Sequence, residues 1–245
     1  MTKRIIDNKH VVIKLIPNKT DEIPKELAIL QKLEPHEHVV SYFGYFKHEC
    51  YMAAVMEYIP GISVAEFVYN IQKQALSSKR SRQKYFYTVK NISKQCLEAL
   101  AHLHKQNILH RDIQPSNIMI CQNQNAPESE RYQIKFIDFG FSKISDYANT
   151  SIGTLHFAAP EILLQQEYGQ RSDVFSLGAV IYYMLTGHAP FSSKTGVQAR
   201  INCFNDQVEQ LFDLGDDFFN NMLKQMMSSQ IDQRMKCQDL LTLFQ

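Results

Sequence analysis

Residues 110–118 read "HRDIQPSNI" and residues 134–140 read "IKFIDFG". In the first stretch an acid and an amide, Asp112 and Asn117, stand five residues apart in a loop that contains Pro115. In the second, Asp138 follows the strand-like run "YQIKF" and precedes Phe139 and Gly140, which puts a carboxylate at a strand end. Just upstream of the loop Val89, Ile92, Cys96, Leu100 and Leu103 recur at three- and four-residue spacing, which predicts one apolar face of a helix. Hard oxygen donors of this kind suit magnesium and the phosphates that accompany it.

Moving outward, "HVVIKLIP" (10–17) is a β-branched run ended by proline and reads as a buried strand. "TDEIPKELAILQKL" (20–33) has acids and Pro24 at its start and leucines at three-residue spacing, the marks of a helix. "HVVSYFGYF" (38–46) and "CYMAAVMEYI" (50–59) add two strand-like runs, so the first part reads as a small sheet carrying one helix. Lys14 ends an apolar strand, where a charge is costly unless paired, and Glu26 on the following helix is its natural partner. Beyond "PGIS" (60–63) the pattern turns helical, and "DVFSLGAVIYYMLT" (173–186) is apolar nearly all round, as in a helix buried at the centre of a lobe. The boundary falls near residues 58–63. "QALSSKRSRQK" (74–84) and "CQNQNAPESERYQ" (121–133) read as surface insertions, the basic one as a solvated face.

A formal net charge of +1 gives no whole-chain drive toward nucleic acid or anionic membrane. The amino-terminal residues lack a signal-peptide core and no stretch approaches ~18 consecutive apolar residues, so a soluble cytoplasmic or otherwise intracellular protein, with no membrane insertion, is expected. Five scattered cysteines without a CxxC pattern favour reduced thiols over a disulfide framework. The pairs His36/His38 and His102/His104 carry a spacing that turns the two rings to opposite faces of a helix, so no metal shell is expected there.

The ordered set "VVIK" (11–14), Glu26, "HRDIQPSN", "DFG", "AAPE" (158–161) and "SDVFSLG" (172–178) resembles the eukaryotic protein kinase family, Ser/Thr type, from about residue 4 to 242. The resemblance implies an α+β, two-lobed protein-kinase-like fold within a single domain, 1–245. Residues 1–58 form a small β-rich N-lobe and 59–245 a larger, mainly α-helical C-lobe. It implies ATP and Mg2+ as cofactors, and transfer of phosphate to Ser or Thr hydroxyls of a protein substrate. In that reading Lys14 holds the phosphates and pairs with Glu26, Asp112 orients the acceptor, and Asn117 and Asp138 bind magnesium. Val12 and Met119 sandwich the base, Met56 is the gatekeeper, and the backbone of Glu57 and Ile59 faces adenine. Leu30, Tyr42, His110 and Phe139 fall where the family stacks a hydrophobic spine. Asp173 braces the catalytic loop and Glu161 pairs with Arg234. Thr150 falls where family members are phosphorylated, with Arg111 and Lys143 to receive the phosphate, and Thr154 is the Ser/Thr-type threonine.

Two departures stand out. Thirteen residues precede Lys14 and the first glycine of the chain is Gly44, so the first strand and the phosphate-covering glycine-rich loop are expected to be absent from this chain. Gln114 takes the place of the lysine that contacts the transferring phosphate, an exchange that slows transfer without abolishing it. The other readings are a pseudokinase, acting as a nucleotide-binding or scaffolding module, and a small-molecule phosphotransferase, which leaves "AAPE" and "SDVFSLG" without a purpose. Nothing in the residues indicates an oligomeric state.

Overall fold

The computed structural model describes residues 2–3, 9–18, 22–75, 78–139, 156–164, 169–190 and 213–245. The chain begins with a four-stranded antiparallel sheet of order β1-β2-β4-β3, formed by β1 (Thr2–Lys3), β2 (His10–Pro17), β3 (Tyr42–His48) and β4 (Tyr51–Glu57). Lys14 sits opposite Ala54 and Val12 opposite Met56. Because side chains alternate along a strand and cross-strand partners share a face, these four project from one side of the sheet. β1 is a two-residue edge pairing, Thr2 opposite Val11 and Lys3 opposite His10. The register of β3 against β4 shifts between Tyr42 and Gly44, where Gly44 takes a φ of 137° that side chains disfavour.

Helix α1 (Lys25–Lys32) starts directly after Pro24, whose fixed φ suits a helix entry, and buries Glu26, Leu27 and Leu30. The expected helix over 20–33 is therefore shorter at its start.

From β5 (Ile62–Ser63) onward helices dominate: α2 (Val64–Ala75), α3 (Lys79–Lys105), α4 (Pro160–Leu163), α5 (Gln170–Thr186), α6 (Asp217–Met226) and α7 (Cys237–Leu240). Tyr85, Val89, Ile92, Cys96, Leu100 and Leu103 form the buried stripe of α3. Its start corrects the reading of 74–84 as an insertion. The Ser78 hydroxyl accepts from Ser81 N at 3.2 Å, and residues 79–84 are the exposed first turns of the helix. Helix α5 is buried on almost every side and stops at Gly187, in the left-handed conformation at φ 78°, whose N–H returns to Tyr183 O. Gly178 lets α5 approach α6, since a Cβ there would lie 2.7 Å from the Met227 side chain.

A second antiparallel sheet, β5-β6-β7, holds β6 (Ile118–Gln122) and β7 (Tyr132–Phe136), joined by exposed turns over 123–130. It abuts the first part of the chain through Val40 N to Phe136 O and Phe136 N to His38 O, both 2.9 Å. His36 and His38 lie in the connection after α1, not on a helix. Their rings gather with that of His102, at 5.5 Å for His36–His38 and 4.6 Å for His36–His102, while His104 turns away into the core. No helix among the described residues is long and apolar enough to cross a membrane. The described cysteines, Cys50, Cys96, Cys121 and Cys237, are free.

Candidate active site

The loop quoted first is built by three elements. α3 ends at Lys105 and delivers it, β6 takes the chain away, and α5 fixes it from beneath. Asp173 of α5 is fully buried and spends its carboxylate on that loop: Oδ2 accepts from His110 N at 2.9 Å and Oδ1 from Arg111 N at 3.0 Å. His104 Nε2 joins Asp173 Oδ2 at 2.9 Å. The brace holds Arg111 at φ 66°, a left-handed conformation that a non-glycine residue adopts only when its surroundings fix it. His110 is fully buried between Phe136 and Phe139, with ring centroids 5.3 and 5.2 Å away. Burial holds its imidazole below the usual histidine range, outweighing nearby Asp173 and Asp112.

Asp112 is oriented by neutral donors on both oxygens. Asn117 Nδ2 donates to its Oδ2 at 2.7 Å and to its backbone carbonyl at 2.9 Å, and Gln114 Nε2 donates to Oδ1 and Oδ2 at 3.0 Å each. With its amino group turned to Asp112, Asn117 keeps its carbonyl oxygen for another partner.

On β2, Lys14 Nζ reaches Glu26 Oε1 at 2.7 Å and Asp138 Oδ1 at 2.6 Å. Burial works against its ammonium, but hydrogen bonds to Asp138 and Glu26 hold its pKa above the usual lysine value. Asp138 has a φ of 55°, in the left-handed region that a non-glycine residue seldom adopts. Val12, Lys14, Met56, Glu57, Ile59, Met119 and Asp138, seven residues expected around a nucleotide, line one cleft of ≈ 380 Å³, large enough for an aromatic base. Its lining also includes Ile13, Val40, Tyr58 and Ile137, which the sequence did not single out. The pattern along β2 and just past the end of β7 marks Ile13 and Ile137 only as apolar, without indicating what they face.

Leu30, His110 and Phe139 are buried, while Tyr42 is half-buried with its hydroxyl unbonded among the described residues. Glu161 and Arg234 lie away from the cleft as a buried bidentate pair at 2.6 and 2.9 Å. Ser172 Oγ adds a bond to Glu161 at 2.6 Å, and the guanidinium lies over Phe175 at 4.8 Å. Burial alone would raise the Glu161 carboxyl, but hydrogen bonds from Arg234 and Ser172 hold it below its usual range. Lys143, Thr150 and Thr154 lie outside the described residues. The oxygen donors of Asp138 and Asn117 fit a hard divalent cation in chemistry.

The chain matches the family model for the protein kinase domain over residues 2–243. It is 31% identical over 212 residues to serine/threonine-protein kinase dkf-2 of Caenorhabditis briggsae, covering 83% of this chain and 16% of that protein. It is 33% identical over 198 residues to the probable serine/threonine-protein kinase KIN1 homolog of Enterocytozoon bieneusi, covering 76% and 30%. It is 30% identical over 190 residues to ribosomal protein S6 kinase alpha-3 of Mus musculus, covering 76% and 24%. Each of these matches spans less than a third of the relative's length and 76–83% of this chain. The chain belongs to the protein kinase domain family.

Proposed function

We propose that this chain, as one catalytic domain hinged near residues 58–59, transfers the terminal phosphoryl group of ATP to serine or threonine hydroxyls of protein substrates. The observation that carries the reading is Lys14, whose ammonium joins Glu26 and Asp138 at the cleft that Val12, Met56 and Met119 also line. A binding module has no physical need of Lys14, Asp112, Asn117 and Asp138 together. The names of the relatives and the "QPSN" form of the loop support hydroxyl acceptors on Ser or Thr.

Phosphoryl transfer asks a protein mainly for positioning and charge neutralisation. Lys14, held extended by Glu26, meets the phosphates. Asp112, fixed by Asn117 and Gln114, accepts the proton of the substrate hydroxyl as that oxygen bonds to phosphorus and the bond from phosphorus to the ADP oxygen breaks. Asp138 and Asn117 are the residues that would hold magnesium, which when bound would supply neutralising charge at the phosphates. Val12 and Met119 pack on the base, and the Glu57–Ile59 backbone reads its edge.

The test is incorporation of labelled phosphate from ATP with magnesium, into the chain itself and into generic protein acceptors, beside Asp112→Asn. Incorporation that disappears in Asp112→Asn supports the reading, and incorporation that persists in it, or is missing from the unaltered chain, overturns it.

A further inference from the structure

Glu57 begins the connection between the two parts of the chain, and its side chain takes part in a contact that the phosphoryl-transfer reading does not use. Its Oε2 accepts from Lys135 Nζ at 2.8 Å and from Ser41 N at 3.1 Å. Lys135 Nζ also donates to Val39 O at 3.3 Å, and Glu57 N donates to Ser41 O at 2.9 Å. Three segments distant in sequence meet at this point: the connection after α1, the end of β4, and β7, which carries Lys135 and ends at Phe136, two residues before Asp138. Lys135 stands opposite Met119 across β6, so its side chain leaves the sheet on the face that lines the cleft. The pair is half-buried, with side-chain exposures of 20% for Lys135 and 29% for Glu57. Two donors converge on one carboxylate oxygen, which fixes that side chain more firmly than a lone surface pair.

We infer that Lys135 is a positioning residue, clamping the Glu57 hinge to the strand that leads into Asp138 and so presetting the backbone that reads the nucleotide base. The inference rests on the nucleotide reading of the cleft for its consequence, but not for the clamp itself. A hinge already held in its binding geometry needs less ordering when the nucleotide arrives. Removing the clamp then weakens nucleotide affinity, by about fivefold for a half-buried charged pair.

The experiment compares the unaltered chain with Lys135→Met, Lys135→Arg, Glu57→Gln and the Glu57→Gln/Lys135→Met double variant. Two readouts are used: amide hydrogen exchange in peptides covering 57–61, 38–41 and 132–137, and affinity for ATP and ADP with magnesium by calorimetry. The clamp requires faster exchange in all three segments of Lys135→Met, near-normal exchange in Lys135→Arg, a double variant little worse than either single, and nucleotide binding about fivefold weaker. Unchanged exchange overturns the clamp whatever the nucleotide does, and additive losses in the double variant overturn the pairing. Faster exchange with unchanged affinity overturns the positioning role. An unaltered chain that binds no nucleotide overturns the kinase reading and, with it, the positioning role, while exchange still decides whether the clamp exists.

Discussion

Gln114→Lys is expected to make the enzyme faster. Gln114 Nε2 stands 3.0 Å from both oxygens of Asp112, so under the proposed function its side chain would end where the acceptor hydroxyl and the incoming phosphoryl group meet. A lysine ammonium brought there interacts with the transferring phosphate at about 4 Å, worth ~1 kcal/mol per unit charge under full water screening and ~4 kcal/mol at an effective dielectric of 20. The half-buried position of Gln114 puts the gain between these limits, about 2 kcal/mol specific to the transition state, or roughly 30-fold in rate. The same ammonium also pairs with Asp112, which keeps the acceptor-orienting carboxylate in place. Single-turnover transfer from labelled ATP at saturating magnesium measures the step directly, with nucleotide affinity measured in parallel. Gln114→Ala, which removes both bonds to Asp112 and adds no charge, should fall below the natural residue. A Gln114→Lys variant that binds nucleotide normally and transfers no faster would refute the charge argument.

Three further perturbations probe the supports of the site. Glu161→Gln leaves Arg234 buried and uncompensated, and breaking such a pair costs about 3–5 kcal/mol in urea denaturation at neutral pH. Because the Glu161 pKa is depressed in the folded chain, its stabilisation is present above the ordinary glutamate range and is lost as pH falls through the lowered value. The gap between the unaltered chain and Glu161→Gln should therefore close progressively below about pH 4.5, the reference value for the group. Gly61→Ala sets a methyl group 2.3 Å from Ile120 O, so the backbone must shift; a loss of about 1–3 kcal/mol is expected by thermal melting. Asp173→Asn turns an acceptor into a donor against His110 N or Arg111 N, and the orphaned buried amide should cost about 1–3 kcal/mol and slow transfer more than it weakens nucleotide binding. Equal losses in transfer and binding would show that Asp173 supports the whole cleft and not the catalytic loop in particular.

The chemistry of the site was legible where a local rule constrained a residue. A lysine in an apolar strand demands an acid, and Glu26 supplies it at 2.7 Å. An acid and an amide five apart across a proline loop fold back on one another, and Asn117 meets Asp112 at 2.7 Å. The start of α3 was not legible, because "SSKRSRQK" is polar all round and only the Ser78 cap distinguishes it from a loop. Lys135 and Glu57 were hidden for a different reason: 78 residues separate them, and each alone is an ordinary charge on a strand. The gathering of His36, His38 and His102 likewise depends on how α3 packs beside the connection after α1, which no spacing encodes.

The supports of the cleft fall into two physical kinds, and the difference bears on how the site works. In the helical part of the chain the charges are fully buried: Asp173 and Arg234 are 0–1% exposed, Asp173 holding His104 and two backbone amides of the Asp112 loop, and Arg234 a bidentate carboxylate. Where the two parts of the chain meet, the pairs Lys14–Asp138 and Lys135–Glu57 keep 20–41% of each side chain exposed. Water and salt screen the second kind and hardly reach the first. Under the proposed function, the support of the Asp112 loop would therefore be insensitive to salt, and the pairs that hold the Lys14 sheet would be the salt-sensitive ones. Lys14 already satisfies two carboxylates, so nucleotide phosphates must compete with Asp138 for it. A cation held by Asp138 and Asn117 would relieve that competition. Under the proposed function the neutral Gln114 adds no charge at the phosphates, so the pairing of Lys14 with Asp138 would weigh more heavily here than it would beside a lysine.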